Sequence, residues 1–90
     1  MHYNLANAYS LLGKTEIAIP YYNTALKLKP GKSDTFYNLG NAYCVLKKYD
    51  DAITTFKKAI QYDSYNSPAL YNLGNAYYMK GEIEKSIQSY

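Results

Sequence analysis

An all-α chain of antiparallel helix-turn-helix repeats, stacked as an α-solenoid, is predicted by three observations. The heptapeptide Tyr-Asn-Leu-Ala-Asn-Ala-Tyr at 3–9 returns as Tyr-Asn-Leu-Gly-Asn-Ala-Tyr at 37–43 and at 71–77. Its leucines, Leu5, Leu39 and Leu73, recur at a constant 34 residues, and a fixed period of this size marks stacked units rather than one closed domain. Within a unit the apolar and small residues fall at helical spacing, as at Phe36, Leu39, Gly40 and Tyr43.

The period divides the chain into repeats over 1–32, 33–66 and 67–90, the third incomplete. In the middle repeat a second helical face runs through Tyr49, Ala52, Ile53, Phe56, Ala59 and Ile60. Lys47 and Lys48 leave only a short connection, so the two helices fold back as an antiparallel hairpin. Ser33 or Asp34 is placed to cap the first helix, and Asp50 suits the start of the second. In the third repeat Ser67-Pro68 reads as an N-cap followed by proline at the first helical position. Lys80-Gly81 then closes that helix, and a second helix from about Glu82 stops at Tyr90, the register of Phe56.

The first repeat begins as abruptly, with Met1 at the register of Thr35, so the chain is expected to be a segment of a longer array. Pro20 stands in the slot of Thr54. In a helix capped by Thr15 it removes the bond to the Glu16 carbonyl, which predicts a late start or a kink. Pro30 and Gly31 end that helix.

Glycine inside a helix costs about 1 kcal/mol relative to alanine, so Gly40 and Gly74 need a reason. The first repeat supplies it with Ala6 in the same slot, which excludes a need for positive φ and leaves smallness as the common property. The partner helix is therefore expected to approach closely, with Ala18, Ala52 and Ser86 as its small facing slot. Leu5, Leu39 and Leu73 would fill the space beside these contacts, with Tyr22, Phe56 and Tyr90 as large counterparts. Gly40→Leu should overpack the hairpin by about 1–3 kcal/mol.

A 34-residue unit with Phe36, Leu39, Gly40, Tyr43, Ala52, Phe56 and Ala59 at these spacings resembles the tetratricopeptide repeat family, and Pro30 matches the proline near the family's unit end. Ser64 departs from that last feature. The resemblance implies a protein–protein interaction scaffold whose first helices line a concave groove. On it would lie ladders of Tyr3, Tyr37 and Tyr71, of Asn4, Asn38 and Asn72, and of Asn7, Asn41 and Asn75, with Cys44 and Tyr78 in the slot of Ser10. A carboxamide offers an acceptor and two donor hydrogens, matching the backbone of an extended peptide. The alternative is structural: the same side chains bridge neighbouring units. Chaperone-adaptor members of the family clamp a terminal carboxylate with two asparagines, matched by Asn7 and Asn38, and with cations where this chain has Tyr3, Pro68 and Asn72. A clamp of that type is therefore not expected.

Composition narrows the function further. Thirteen tyrosines and no tryptophan give bulk with hydroxyls that can reach water or a partner. All ten basic residues are lysines, and the net charge of +3 belongs to the first repeat, the later two being neutral. Without arginine, bidentate grip on phosphate is missing, so single-stranded nucleic acid is the weaker alternative despite the tyrosines. Cys44 is the only cysteine and His2 the only histidine, which gives no catalytic constellation, no metal cluster and no cofactor site. No apolar run approaches the roughly 20 residues of a membrane span, and an intracellular, cytoplasmic protein is expected. Self-association is the remaining expectation, by end-to-end stacking or exchange of the last helix, since terminal units of an array need a polar cap.

Overall fold

The computed structural model describes residues 2–29 and 31–89, with side chains through Glu84. The described residues form five helices: α1 (His2–Leu11), α2 (Thr15–Leu28), α3 (Ser33–Val45), α4 (Tyr49–Tyr62) and α5 (Ser67–Ser89). Each packs on its neighbours in the chain, α1 also meets α3, and α3 also meets α5. Between α2 and α4 there is no such contact among the described residues. The stack therefore curves towards its odd-numbered helices.

Two turns make the hairpins, and they use the same bonds. After α1, Gly13 adopts φ 77°, and Lys14 N–H returns 2.9 Å to the Tyr9 carbonyl. After α3, Lys47 adopts φ 61°, and Lys48 N–H returns 2.8 Å to the Tyr43 carbonyl. Both close the helix end through a left-handed residue, a conformation that disfavours a side chain such as lysine's.

The hairpins pack as expected at the glycine slot. A Cβ on Gly40 would lie 2.5 Å from Phe56 Cε1, so the glycine admits the ring rather than a bend. Phe36 stacks on Tyr62 at 5.5 Å, pairing the start of α3 with the end of α4. In the first hairpin Ala6, Ala18 and Tyr22 are buried together. Leu39 and Ala42 of α3 join that same cluster, and Leu73 and Ala76 of α5 likewise pack on the cluster around Phe56. The motif leucine thus packs backwards onto the preceding hairpin. Leu5 has no preceding unit in the described chain and is 39% exposed, contrary to its expected role as a filler.

The third repeat differs from its sequence reading. Gly81, at the register of Gly13 and Lys47, lies inside α5, which runs unbroken to Ser89. No hairpin closes there. Among the described residues nothing lies within 4 Å of a Cβ added to Gly74. The expected contacts of Ser86 and Tyr90 lie outside the described residues, as do Met1 and Pro30.

Asp50 stands in the first turn of α4 as expected, but the expected side-chain caps are not made. Lys14, Lys32 and Lys48 precede α2, α3 and α4 without a side-chain cap bond, while Thr15 and Ser33 are already helical. Ser33 Oγ donates instead to the Ala59 carbonyl at 2.8 Å. Asn66, not Ser67, caps α5: its Oδ1 accepts from Ala69 N–H at 3.1 Å. α2 begins at Thr15 despite Pro20, so there is no late start. The proline is exposed, which leaves the released Glu16 carbonyl on the side where water can reach it.

Candidate functional site

The inner helices α1, α3 and α5 carry every residue expected in the groove, and the structure sorts these residues into three groups. One group ties the units together. Asn38 Nδ2 donates to Tyr3 Oη at 2.7 Å, and one repeat later Asn72 Nδ2 donates to Tyr37 Oη at 3.3 Å. The first tyrosine of each motif therefore meets the first asparagine of the next motif. Tyr37 also tilts against Phe56 with ring centroids 6.2 Å apart.

A second group lines two cavities. The first, about 380 Å³, lies between α1 and α3 and is bordered by Asn7, Ser10, Asn38, Asn41, Ala42 and Val45, with Leu11, Thr15 and Tyr22 at its side. The second, about 230 Å³, is bordered by Asn41, Cys44, Tyr49, Asn72, Asn75, Ala76 and Met79. Every residue of the second stands 34 positions after a residue of the first. Neither cavity is lined by a charged side chain.

Hydrogen bonding orients the amides in these cavities. Tyr22 Oη donates to Asn7 Oδ1, and Asn72 Nδ2 donates to Asn41 Oδ1 at 2.8 Å. With their oxygens engaged, Asn7 and Asn41 retain their amide hydrogens as donors. Phe56 replaces Tyr22 in the second hairpin and has no hydroxyl to donate, and Asn41 accepts from Asn72 instead. Asn75 is exposed.

A third group stands apart. Tyr3 and Asn4 border a separate cavity with His2, Lys29, Lys32 and Asp34. Tyr71 and Tyr78 are 71% and 66% exposed and line neither groove cavity. The sequence reading missed Val45 and Met79, whose shared register was the available signal. It also missed Asn66, whose Nδ2 donates to Ser33 Oγ at 2.8 Å and so joins α5 to the second hairpin.

Burial raises the Cys44 thiol pKa, and burial likewise leads the rise at Tyr22, against the Ser10 hydrogen bond. A raised thiol pKa lowers the reactive thiolate fraction. Its contribution to stability is fully present below the unfolded thiol's pKa and is lost as pH rises through the folded one. Iodoacetamide is therefore expected to modify Cys44 more slowly in the folded chain than in urea at mildly alkaline pH. Equal rates would show that α3 does not protect it.

Among the described residues no helix is long and apolar enough to cross a membrane, and no three His, Cys, Asp or Glu side chains gather as a metal site.

Paired helices, a repeated glycine or alanine slot, and inner helices that line equivalent cavities define an array of helical-hairpin repeats. The chain belongs to the tetratricopeptide repeat family. Profiles described as tetratricopeptide repeat match residues 1–32 and 21–54, and one described as TPR repeat matches 40–81. Similar solved structures include YrrB, a TPR protein with an unusual peptide-binding site, at 32% identity and TM-score 0.78 over 83% of this chain and 39% of that one. MamA is similar at 26% identity and TM-score 0.87, over 97% of this chain and 48% of that one. The second TPR of Spaghetti (RPAP3), bound to HSP90 peptide SRMEEVD, is similar at 25% identity and TM-score 0.87, over 97% of this chain and 81% of that one. The chain thus spans less than half the length of the first two. The search of curated proteins returned no match.

Proposed function

We infer that the chain is a protein–protein interaction module that holds an extended, uncharged peptide segment along α1, α3 and α5. The observation that carries this reading is the pair of register-equivalent cavities. A ligand that fits one meets the same amides and small residues a repeat later, as an extended backbone would. Asn7 and Asn41 offer donors already turned by their own acceptor bonds, which lowers the ordering cost of binding. Similarity to YrrB and to the peptide-bound Spaghetti domain supports a peptide as the ligand class.

The chemistry disfavours a copy of the carboxylate clamp. At the clamp's arginine position Asn72 spends its amide hydrogens on Tyr37 and Asn41. Pro68 and Tyr3 stand at the two lysine positions. An acidic terminus would find no fixed positive charge in either cavity.

Asn75 is the cleanest position for a test because no hydrogen bond to it occurs among the described residues. Against a neutral peptide library, Asn41→Ala with Asn75→Ala is expected to weaken capture by about tenfold, roughly one hydrogen bond's worth of free energy per site. Asn75→Ala alone should leave the melting temperature unchanged. Capture unaffected by the pair would remove the groove from the binding site. Affinity should also change little with salt, whereas a steep fall would favour single-stranded nucleic acid as the ligand.

A further inference from the structure

A second row of side chains runs beside the asparagines. One helical turn after Asn7, Asn41 and Asn75 stand Leu11, Val45 and Met79. These three are 88%, 67% and 41% exposed. They share walls with the amides, Leu11 and Val45 in the first groove cavity and Met79 in the second. An amide and, one turn on, an exposed apolar side chain thus recur once per repeat along α1, α3 and α5. An apolar row rimmed by polar groups marks an interaction surface. No charged side chain borders either cavity, so the partner is apolar where it meets the row.

The interval between repeats selects the conformation of that partner. α1 meets α3, and α3 meets α5; helices in contact lie about 8–10 Å apart. A ligand crossing them has to present like groups at the same interval. In a β-strand the side chains of one face recur about every 6.7 Å, or about every 13 Å when alternate ones are skipped, and neither fits. A polyproline II helix has three residues per turn and rises about 3.1 Å per residue, so residues i and i+3 share a face about 9.3 Å apart. Its backbone makes no internal hydrogen bonds, which leaves its carbonyls free. Asn7 and Asn41, whose oxygens are engaged, keep amide hydrogens to give them. Such donors ask for no N–H from the ligand, the group that proline lacks.

We propose that the groove takes a polyproline II segment with an apolar side chain at every third position. The apolar residues rest on Leu11, Val45 and Met79, and the carbonyls between them accept from the asparagine amides. This inference rests on the peptide-groove reading above and adds the ligand's conformation and side-chain spacing.

Fluorescence anisotropy with the full chain and labelled neutral peptides tests it. Each peptide carries two leucines in a serine and glutamine background, spaced i,i+2, i,i+3 or i,i+4, and a fourth has two prolines between leucines at i,i+3. The i,i+3 peptide is expected to bind about tenfold tighter than the other spacings, the effect of seating one more apolar side chain. The prolines should preserve or improve that affinity by fixing the bound conformation in advance. Val45→Gln should abolish the preference for i,i+3 and leave the melting temperature unchanged, since residue 45 is largely exposed. Equal affinity for the three spacings, with Asn41→Ala plus Asn75→Ala still weakening all of them, overturns the spacing and leaves the groove in place. Affinities that the asparagine pair does not alter remove the groove, and the proposal with it. Loss of binding on inserting the prolines, or no binding by any of the four peptides, also overturns the proposal.

Discussion

Phe56→Ala is expected to destabilise the chain by about 3–5 kcal/mol, the range for removing a fully buried aromatic ring. Phe56 is fully buried, and it packs in one cluster with Phe36, Tyr49, Ile53, Ala69 and Ala76. Its loss therefore opens the second hairpin and the seat of α5 together. The contact with Gly40 makes a sharper test than the size of the loss. Alanine gains about 1 kcal/mol of helix propensity over glycine, but at residue 40 its Cβ would stand within 3 Å of three ring carbons of Phe56. Overpacking of that kind costs about 1–3 kcal/mol, so Gly40→Ala should be net destabilising. In the Phe56→Ala background the obstacle is gone, and the same substitution should become stabilising. Urea denaturation of the four proteins in this cycle measures the coupling. Equal effects of Gly40→Ala in both backgrounds would mean that the ring is not why glycine is there.

Asn66→Ala is expected to cost about 2–3 kcal/mol, combining a lost helix cap with a lost buried hydrogen bond. The residue is 9% exposed. Its carboxamide oxygen caps α5 through Ala69, while its amide reaches Ser33, which in turn donates to Ala59. Removing it strips an acceptor from the start of α5 and a donor from Ser33. Asn66→Asp separates the two parts. The carboxylate keeps an acceptor for Ala69 N–H and favours the helix N-terminus, but it has no hydrogen to give Ser33. It should recover much of the stability, leaving a deficit of about 1 kcal/mol that reports the bond to Ser33. If aspartate proved as damaging as alanine, the cap would contribute nothing.

The repeat, the helices and the small slot were legible in the chain because they depend on spacing, and helical spacing is written in sequence. The direction of packing was not. Leu39 looks like a residue of its own hairpin, yet it fills the space against Tyr22 in the one before. Helix periodicity says which face is buried without saying which neighbour buries it. The candidate site was half legible for a related reason. Tyr3 and Tyr37 are expected off the hairpin seam, yet each packs against its hairpin's core cluster, and their hydrogen-bond partners Asn38 and Asn72 lie 35 residues away across units. Only packed helices bring such pairs within reach. Ser33 and Thr15 show the same limit at helix ends. A residue of capping type was in place, and a long-range acceptor or a buried position took it instead.

The sequence by itself determined an all-α array with a period of 34 residues, the close approach at Gly40, and a polar inner face without fixed charge. Tertiary structure decided which of those polar groups tie the units together, and where the chain turns. Gly81 permits a left-handed turn and lies within a helix, whereas Lys47 resists one and turns. A residue sets the local cost of turning, about 1–2 kcal/mol here. Burial of Ala52, Ile53 and Phe56 by α4 exceeds that cost at Lys47. The residues that repeat this register beyond Gly81 lie outside the described side chains, and α5 runs on to Ser89.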